Sequence, residues 1–253
     1  CIYNHNQVDL FGYSETLTLG KISTIANGLV SGLDKAFRCE GDILSKLNKK
    51  ETNSLIKVIK SKNLKVYNYS GYYNYIFLNN TKVKDLKKEY PNFYKHFKNY
   101  KVQLEKRYDY KKDINYWDWS FLRSYKIQNS QKEKICISCK LRVKDYKDIK
   151  FSLIDKNYFL TQDVTSIFIN DEIYENIKYI LAYLNCSIVK KWIFINNNNR
   201  GNVLEFSEEP LKSIPIRLIN WKNKNEVRNY NEIIENTDKF LITSDRKYLF
   251  KND

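Results

Sequence analysis

The longest regular hydrophobic pattern in the chain lies between residues 173 and 195. Its apolar side chains recur at three- and four-residue steps, as they do along one face of an amphipathic α-helix. They are Ile177, Ile180, Leu181, Leu184, Ile188 and Trp192. Because such a face must be covered by other elements, we predict that residues 173–195 form the central helix of the core. Four consecutive asparagines, Asn196 to Asn199, then interrupt the pattern.

Shorter patterns on either side of this helix mix strands with helices. Strand composition predicts extended segments at residues 64–68, 72–78, 132–139, 149–154, 157–161 and 164–169, with Asp155-Lys156-Asn157 as a hairpin turn. Helical spacing and capping residues predict helices at 53–60 (started by Asn53), from Glu89 to Arg107 and at 226–236, with a helical turn opened by Pro210. Residues 17–39 are predicted to be short extended segments broken by Gly28 and Gly32, where glycine permits a positive φ or a close backbone approach. This order predicts an α+β fold with a mixed or antiparallel sheet and packed helices.

The length of 253 residues and the 42% hydrophobic content are sufficient for one large domain or two small ones. We expect a main domain over residues 1–217, with a soft internal boundary near 108–131, and a helical appendage over 218–253. The chain begins with Cys1 and contains no methionine. We therefore expect a piece of a longer protein from which methionine positions have been lost.

The charge of the chain favours a polyanionic partner. Lys and Arg number 44 against 29 Asp and Glu, which leaves a formal charge of +15, and 15% of the residues are aromatic. Only eight of the basic residues are arginine, and Lys, Asn, Ile and Tyr all have A/T-rich codons. A biased genome is therefore an alternative source of the charge, and the charge by itself leaves nucleic-acid binding open.

Cysteine, histidine and hydropathy patterns exclude several classes of protein. Five cysteines without a disulfide-framework spacing suit a reducing cytoplasm. Cys136 and Cys139 lie in a predicted strand, where residues three apart face opposite sides, so we expect no shared metal there. Two histidines, His5 and His96, are too few for a histidine-rich metal site. No apolar run approaches the ~20 residues of a membrane span and no secretory signal is present, so we expect no membrane partner.

The motifs of nucleotide, cofactor and nuclease chemistry are missing from the sequence. The seven glycines form no glycine-rich loop for a nucleotide or for S-adenosylmethionine. The three prolines, Pro91, Pro210 and Pro215, stand in no Asn-Pro-Pro-Tyr tetrapeptide of the kind used for amino-group methylation. Paired acids followed by a spaced Glu-x-Lys are not found in a strand context. We therefore expect no catalytic residue and no bound cofactor in this chain.

Six segments, in order, resemble the TaqI-like specificity domain of type IIG and related adenine-specific DNA methyltransferases. They are Gly28–Phe37, Tyr90-Pro91 with Leu104–Arg107, Trp117–Arg123, the strand from Ile135, Leu181–Ser187 and Arg200–Ile216. The similarity spans roughly residues 17–217. Cys186 stands where this family often has a small residue such as Ser, and Arg217 replaces its usual final Pro.

The resemblance implies the target-recognition domain of a bacterial adenine methyltransferase or of a fused restriction–modification enzyme. Such a domain would bind duplex DNA and present a flipped-out adenine to a methyltransferase domain of the parent chain. S-adenosylmethionine would bind in that catalytic domain, which is absent from this chain.

Ten residues are candidate DNA contacts under this interpretation: Ser31, Asp34, Lys35, Arg107, Trp117, Trp119, Arg123, Lys134, Arg200 and Asn202. Lys and Arg donate to guanine or phosphate, Asp accepts from cytosine, Asn suits adenine, and a tryptophan can stack on a base or sugar. Structural alternatives stay open for each. Gly28–Phe37 can be a tight turn with Ala36 and Phe37 in the core, the cations can form a solvated face, and one tryptophan can be buried. The asparagine-rich segment can be a plain connector.

Two other functions remain open from the sequence. One is a nuclease whose acidic cluster is unlike known patterns. The other is a protein-interaction module of a restriction–modification complex, with its basic charge due to genome composition. Metal-dependent DNA cleavage is expected only of the first, and DNA binding at low salt is not expected of the second.

Overall fold

A computed structural model describes residues 16–79, 81–107, 114–197 and 199–245. The strands are β1 (Thr16–Thr18), β2 (Ser23–Asn27), β3 (Arg38–Cys39), β4 (Leu55–Ile59), β5 (Tyr73–Ile76), β6 (Lys134–Ser138), β7 (Lys140–Arg142), β8 (Ser152–Ile154), β9 (Phe159–Leu160), β10 (Val164–Ile169), β11 (Asn199–Arg200), β12 (Val203–Glu205) and β13 (Pro215–Arg217). The helices are α1 (Leu19–Ile22), α2 (Asp34–Phe37), α3 (Asp42–Lys46), α4 (Lys49–Thr52), α5 (Leu86–Glu89), α6 (Pro91–Lys98), α7 (Lys101–Glu105), α8 (Tyr125–Gln128), α9 (Ile177–Asn185), α10 (Ser187–Asn196), α11 (Glu208–Lys212) and α12 (Lys224–Thr243). Single 3₁₀ turns lie at Ser61–Asn63 and Tyr146–Asp148.

The first of the larger sheets has the strand order β2-β10-β6-β8 and is antiparallel throughout. Ile167 on β10 lies opposite Ile25 on one side and Ile135 on the other, so three β-branched side chains line up across the sheet. Apolar residues of α9, among them Ile180 and Leu184, cover this face and are fully buried. We call the cluster of this sheet with α9 and α10 the first core.

The helical pattern at 173–195 is two helices, not the single helix predicted. Cys186 has an extended backbone (φ −68°, ψ 152°) and serves as the C-cap of α9 and the N-cap of α10. The reason lies in the residue before it. The Asn185 side-chain amide donates to the carbonyl of Phe151 at 2.9 Å and accepts from its N–H at 3.1 Å. The amide therefore pairs with the backbone beside β8, and the break satisfies two buried polar groups.

A second sheet, of order β3-β5-β4-β9, supports a separate aromatic cluster that we call the second core. Its strands are antiparallel except for the parallel pair of β4 with β9. Phe37, Tyr75, Phe93 and Trp119 are at most 1% exposed there. The single helix predicted from Glu89 to Arg107 is helical over most of its length but divided: Glu89 ends α5, and turns at Asn99 and Tyr100 separate α6 from α7. Pro91 is at the first position of α6, where its missing N–H costs nothing.

The segment after β11 closes the first core. Leu204, Phe206, Leu211 and Ile216 are fully buried, and β13 pairs with β1. The late helix is longer than the predicted 226–236, because α12 runs over Lys224–Thr243 and packs against α9. Tyr230 and Phe240 of α12 lie in the first core. The division of the chain at residue 217 remains a prediction.

Three local predictions are wrong. Residues 53–60 contain strand β4, and the preceding helix α4 is capped by Asn48 rather than started by Asn53. Residues 64–68 form only isolated bridges, at Leu64 and Tyr67. Asp155-Lys156-Asn157 does not join a hairpin, because β8 pairs with β6 in the first sheet whereas β9 pairs with β4 in the second. Each error comes from long-range pairing, which local composition does not reveal.

The fold class predicted from the sequence is confirmed. Helices, including the 3₁₀ turns, account for 40% of the described residues and strands for 23%, and the sheets are antiparallel or mixed. Helices pack on the sheets without a regular βαβ order, which is the α+β class.

A buried carboxylate, that of Glu51, connects two helix N-termini next to the second core. Its Oε2 accepts from the Asn48 N–H at 3.0 Å and the Asn92 side-chain amide at 2.8 Å. Its Oε1 accepts from the backbone N–H groups of Asn92 at 2.8 Å and Phe93 at 3.4 Å. The same side chain completes the capping box of α4 and stabilises the positive end of α6.

Replacing this carboxylate should destabilise the protein. Glu51→Ala leaves four donors without their acceptor in a fully buried site and should lower the free energy of unfolding by about 3 kcal/mol. Glu51→Gln retains one acceptor oxygen and should cost roughly half as much. Urea unfolding measures both variants. The control, Glu105→Gln, removes only an exposed pair with Lys101 and should cost less than about 0.5 kcal/mol; an Ala variant as stable as this control would contradict the assignment.

Candidate nucleic-acid interface

The Gly28–Phe37 segment carries the chain from the first sheet to the second core. The Gly28 N–H donates to the Val164 carbonyl at 3.2 Å, and the Leu29 N–H donates to the Leu160 carbonyl at 2.8 Å. The Gln162 N–H donates back to the Leu29 carbonyl at 3.0 Å. A Cβ on Gly28 would lie 2.5 Å from the Leu160 carbonyl carbon. The expected close backbone approach is confirmed, and it is made to the turn between β9 and β10.

Gly32 has the positive φ that was the other expectation for this segment. Its φ is +83°, and a Cβ there would overlap the Ser120 side chain and lie 2.8 Å from Cδ of Arg107. One residue earlier, the Ser31 side chain is buried at 6% exposure. Both glycines are therefore required by the packing of this protein against itself, and Ser31 is not presented to a partner in this conformation.

Arg107 connects the Gly28–Phe37 segment to residues 115–123, which contain Trp117 and Trp119 and which we call the aromatic connector. Its guanidinium donates to the backbone carbonyls of Ser31 at 3.1 Å, Asn115 at 3.2 Å and Asp118. Three internal acceptors occupy the planar donor fork, which is a use suited to arginine. The expectation that Arg107 contacts DNA is corrected: the side chain positions the loop from which other residues could reach DNA.

The two tryptophans of the connector differ in burial, which was one of the alternatives left open by the sequence. Trp119 is 1% exposed, and its indole N–H donates to the Ile76 carbonyl at 2.8 Å. Its ring packs 5.8 Å from the rings of Phe37 and Tyr75, so it belongs to the second core and is removed from the candidate contacts. Trp117 is half-buried, with its ring 4.8 Å from that of Tyr116.

Asp34 takes part in a chain of internal polar contacts. Its carboxylate accepts from the Tyr75 hydroxyl at 2.8 Å and pairs with the Lys60 ammonium at 3.2 Å. Lys60 also pairs with Asp163 at 3.2 Å. Burial and the neighbouring Asp34 raise the pKa of Tyr75. Burial opposes ionisation of Asp163, yet hydrogen bonds from Thr161 and the Ser61 backbone, with the charge of Lys60, hold its pKa below the usual value.

These contacts change the interpretation of Asp34. Each carboxylate oxygen has one internal partner, which fixes the orientation of the side chain, and its remaining lone pairs can still accept from a donor such as cytosine. The Asp34–Lys60–Asp163 chain fixes α2 against β4 and the turn before β10.

Lys35, the neighbour of Asp34, is the exposed cation of this segment. It lines a cavity of about 740 Å³ together with Arg38, His96 and Tyr100. The Lys35 ammonium lies 5.8 Å from the centre of the Tyr100 ring. His96 Nε2 lies 2.9 Å from the Ala36 carbonyl, and burial lowers the pKa of His96. The same opening is lined by three acids, Asp34, Glu40 and Asp42, so its charge is mixed.

Arg38 is a candidate that the sequence reasoning passed over. Its guanidinium stacks over the Tyr73 ring at 3.9 Å and pairs with Glu40 at 2.7 Å. The available signal was its scarcity, since arginine is rare among the basic residues of this chain. Lys62 approaches the same Tyr73 ring at 4.7 Å, and its hydrogen bond lowers the pKa of that tyrosine.

Lys134 is removed from the candidate contacts by burial. Its side chain on β6 has no exposed surface, and Nζ donates to the Asp155 carbonyl at 3.4 Å. Burial lowers the pKa of Lys134. The expectation of a surface cation failed because the Lys134 ammonium lies against the Asp155 carbonyl and 5.8 Å from the centre of the Phe168 ring, contacts that the local sequence did not show.

The Arg200–Asn202 segment lies on a different sheet, of order β11-β12-β7. Arg200 pairs with Val203, and the two residues between them, Gly201 and Asn202, have φ of 59° and 63°. Two consecutive positive φ values in a two-residue loop define a type I′ hairpin. Asn202 is exposed at the tip, and its carbonyl accepts from the Val143 N–H at 2.9 Å. The Arg200 side chain lies outside the described part of the chain.

The structure therefore brings part of the candidate set together. Ser31, Asp34, Lys35, Arg107, Trp117, Trp119 and Arg123 belong to one region, because Val30 bridges Phe121 and Arg107 joins both segments. Arg123 is half-buried, with its guanidinium 5.4 Å from the Phe121 ring. Lys134 lies in the first sheet and Asn202 on the third. A DNA-binding role for the accessible members, Asp34, Lys35, Arg123, Trp117 and Asn202, remains a prediction.

Metal and membrane features were also sought in the described ranges. Nowhere in them do three His, Cys, Asp or Glu residues lie close enough to hold a metal ion. Cys136 is fully buried, and burial raises the pKa of its thiol to about 12, whereas Cys139 is half-buried. Of the helices that the structure describes, none has the length and apolar character to cross a bilayer.

Comparison with known proteins identifies relatives along most of the chain. No protein-family profile matches it. The chain is 40% identical over 233 residues to the type II methyltransferase M.HindII of Haemophilus influenzae, which covers 92% of this chain. It is 33% identical over 215 residues to the type II methyltransferase M.MjaIV of Methanocaldococcus jannaschii, covering 83% of this chain and 70% of that protein. The chain belongs to the type II methyltransferase family.

The chain spans less than half the length of two of its relatives. It spans 44% of M.HindII and 42% of a second Haemophilus influenzae relative, M.HincII, to which it is 38% identical over 213 residues. The sequence of the whole relative therefore contains a large part with no counterpart here.

Two solved structures share the fold. One is the type IIL restriction–modification enzyme MmeI in complex with DNA, with a TM-score of 0.57 over 92% of this chain and 29% of MmeI. The other is the type IIG restriction endonuclease BpuSI, with a TM-score of 0.54 over 88% of this chain and 26% of BpuSI. Sequence identity is 12% in both cases, so the likeness is one of fold alone.

Adding a methyl group at Gly28 should disrupt the packing of residues 28–29 against the turn between β9 and β10. Gly28→Ala forces the turn between β9 and β10 to move and should lower the free energy of unfolding by about 3 kcal/mol. Gly71→Asn is the control, because nothing lies within 4 Å of its Cβ position and asparagine tolerates the positive φ of 66° there. Denaturant unfolding measures both; equal stability of the two variants would contradict the steric requirement.

Removing the Arg107 guanidinium should loosen the loop without removing a DNA contact. Arg107→Gln loses the hydrogen bonds to Ser31 and the connector and should cost about 2 kcal/mol of stability. Hydrogen exchange of the amides of Val30 and Phe121 should accelerate, because their mutual bridge depends on this joint. Unchanged exchange at these amides would show that Arg107 does not position the segment.

Proposed function

We propose that this chain is the part of an adenine-N6 DNA methyltransferase, or of a type IIG restriction–modification enzyme, that recognises the target sequence. It binds duplex DNA, reads base edges in a groove and presents the target adenine to a catalytic domain elsewhere in the parent protein. The TaqI-like recognition domain over residues 1–217 and the helical appendage over 218–253 belong to the same proposal, as does a cytoplasmic location.

The observation that carries the proposal is a methyltransferase sequence without the motifs of methyl transfer. The relatives are type II methyltransferases, two of them more than twice as long as the region matched. The chain has no glycine-rich loop and no Asn-Pro-Pro-Tyr motif, and it carries a formal charge of +15. A structural neighbour, MmeI, was solved in complex with DNA. Together these favour the DNA-binding part of such an enzyme.

In the same proposal S-adenosylmethionine binds outside this chain. The absence of a glycine-rich loop from the sequence supports this placement. Gly20, Gly28 and Gly32 are consistent with it, because a Cβ on each would lie within 2.8 Å of the protein's own atoms. In the proposal the cofactor supplies its methyl group in the catalytic domain, and this chain binds and orients DNA.

The accessible polar groups suit two modes of contact. Lys35, at the mouth of the cavity, can donate to a guanine edge or to a phosphate. Asn202, at the tip of a type I′ hairpin, can donate to and accept from an adenine edge. Each is held by a rigid support, Lys35 by α2 with its Asp34 anchor and Asn202 by the β11–β12 pair. Rigid supports reduce the entropy lost on binding.

DNA titration tests the proposal. The chain should bind duplex DNA at low salt, with an affinity that falls steeply as salt increases because phosphate contacts release counterions. Lys35→Gln should reduce the slope of log K against log salt by about 0.9 if it contacts a phosphate, and stability should change by less than about 0.5 kcal/mol. Fluorescence anisotropy measures the slope, and Lys222→Gln, an exposed lysine on another surface, is the matched control.

The outcomes separate the proposal from its rivals. Absence of binding at low salt would exclude a DNA reader and favour an interaction module of a restriction–modification complex. Cleavage of plasmid DNA on addition of Mg²⁺ would favour a nuclease. Joining this chain to a methyltransferase domain of the family should give methylation of adenine in duplex DNA, which neither part gives alone.

A further inference from the structure

A group of exposed cations lies beside the Gly201–Asn202 hairpin. We call it the basic rim and define it by six residues: Lys140, Arg142, Lys144, Lys147, Lys150 and Lys191, all of them exposed. It lies outside the candidate contacts considered so far. The first five fall within eleven residues of sequence, and the sixth comes from α10.

Strand alternation presents the first two cations on one face. Lys140 and Arg142 are exposed, whereas Leu141 between them packs against the first core. Arg142 lies opposite Val203, the residue that follows the hairpin tip. The Val143 N–H donates to the Asn202 carbonyl at 2.9 Å, so the rim begins one residue from the backbone that holds Asn202.

The loop that carries the next lysines is anchored at both ends. Val143 is 2% exposed and Ile149 is fully buried in the first core. Between them, the 3₁₀ turn Tyr146–Asp148 is capped by Asp145, and the Ile149 N–H donates to the Tyr146 carbonyl at 3.1 Å. The cations therefore sit on a loop whose path is fixed by packing and capping, not on a free connector.

A tyrosine ring brings the two elements of the rim together. The Lys191 ammonium lies 5.1 Å from the centre of the Tyr146 ring, and the Lys147 ammonium lies 5.9 Å from it. Two like charges near one ring repel each other, and the arrangement becomes favourable when an anion lies between them.

Three acids lie among the six cations of the rim: Asp145, Asp148 and Glu205, which is opposite Lys140 in the sheet. The rim therefore keeps a formal excess of three positive charges. Asp148 accepts from the backbone N–H groups of Lys144 at 2.7 Å and Asp145 at 3.3 Å. The Lys144 N–H, together with the nearby charges of Lys150 and Lys144, holds the pKa of Asp148 below its usual value although burial opposes this. Asp145 accepts from the Lys147 N–H at 3.4 Å. The ion pairs found among described residues all involve cations outside the rim.

We infer that the basic rim binds the phosphates of duplex DNA next to the bases contacted by the Gly201–Asn202 hairpin. The inference rests on the proposed function and extends it to a second surface. Exposed, unpaired cations on a fixed loop beside a base-reading residue are the arrangement in which phosphate contacts set the register of a protein on DNA. Arg142 suits bidentate contact with a phosphate, and the lysines act as point charges.

Charge neutralisation at matched positions tests the inference. The rim variant combines Arg142→Gln, Lys144→Gln and Lys147→Gln. The control combines Lys222→Gln, Lys224→Gln and Arg228→Gln, an equally exposed set with the same change in charge near the start of α12, where Glu226 is interleaved. Binding of each protein to a fluorescent duplex is measured over a series of salt concentrations, and thermal unfolding confirms that both are folded.

The rim variant should lose up to about 2.7 in the slope of log K against log salt, and at least about tenfold in affinity near 0.1 M salt, relative to the control. Lys191→Gln, on α10 and outside the loop, should by itself lower the slope by about 0.9, which tests the rim without altering the loop. Equal slopes for the rim and control variants, with DNA binding by the unmodified chain intact, would overturn this inference alone. Failure of the unmodified chain to bind DNA would overturn the inference and the proposed function together.

Discussion

The close approach of Gly28 to the turn between β9 and β10 is the contact on which the rest of the structure depends. At this point the chain leaves the first sheet, exchanges backbone hydrogen bonds between Leu29 and the 160–162 turn, and enters the second core. Because β9 pairs with β4 and β10 pairs with β2, the same turn belongs to both sheets. A side chain at Gly28 would separate them. Two sheets with different strand orders therefore meet at a junction of backbone hydrogen bonds, to which the Asp34–Lys60–Asp163 ion pairs add.

This junction explains why the segments that resemble a methyltransferase recognition domain are mainly determinants of fold. In Gly28–Phe37 the glycines admit close packing, and Ala36 and Phe37 are fully buried. In the closing segment, Gly201-Asn202 supplies a type I′ turn and Leu211 and Ile216 are buried. The residues of these segments that the structure describes therefore serve mainly to pack the scaffold.

The sequence predicted the elements whose neighbours are local and missed those decided at long range. The strand at β10 and the helix at α6 follow from periodicity. The strand β4 was mistaken for a helix because Leu55–Ile59 becomes extended only by pairing with β5 and β9. Lys134 was expected at the surface, yet its side chain is fully buried and its ammonium lies beside the Phe168 ring of β10. Burial depends on strand order, which spacing within one segment does not contain, so half of the candidate site could be assigned only from the structure.

The positions of the charged residues tell more about function than the total formal charge of +15 does. Genome bias towards lysine would place cations on every exposed face and leave them paired or unpaired at random. Here Lys60 is used between Asp34 and Asp163 to fix the junction, and Lys212 pairs with two acids of its own helix. The cations near the Gly201–Asn202 hairpin, in contrast, have acidic neighbours whose carboxylates are engaged by backbone N–H groups. These cations form no ion pair within 4 Å among the described residues, whereas Lys60 and Lys212 each form two, so the cations beside the exposed polar tip are the ones left to meet a polyanion.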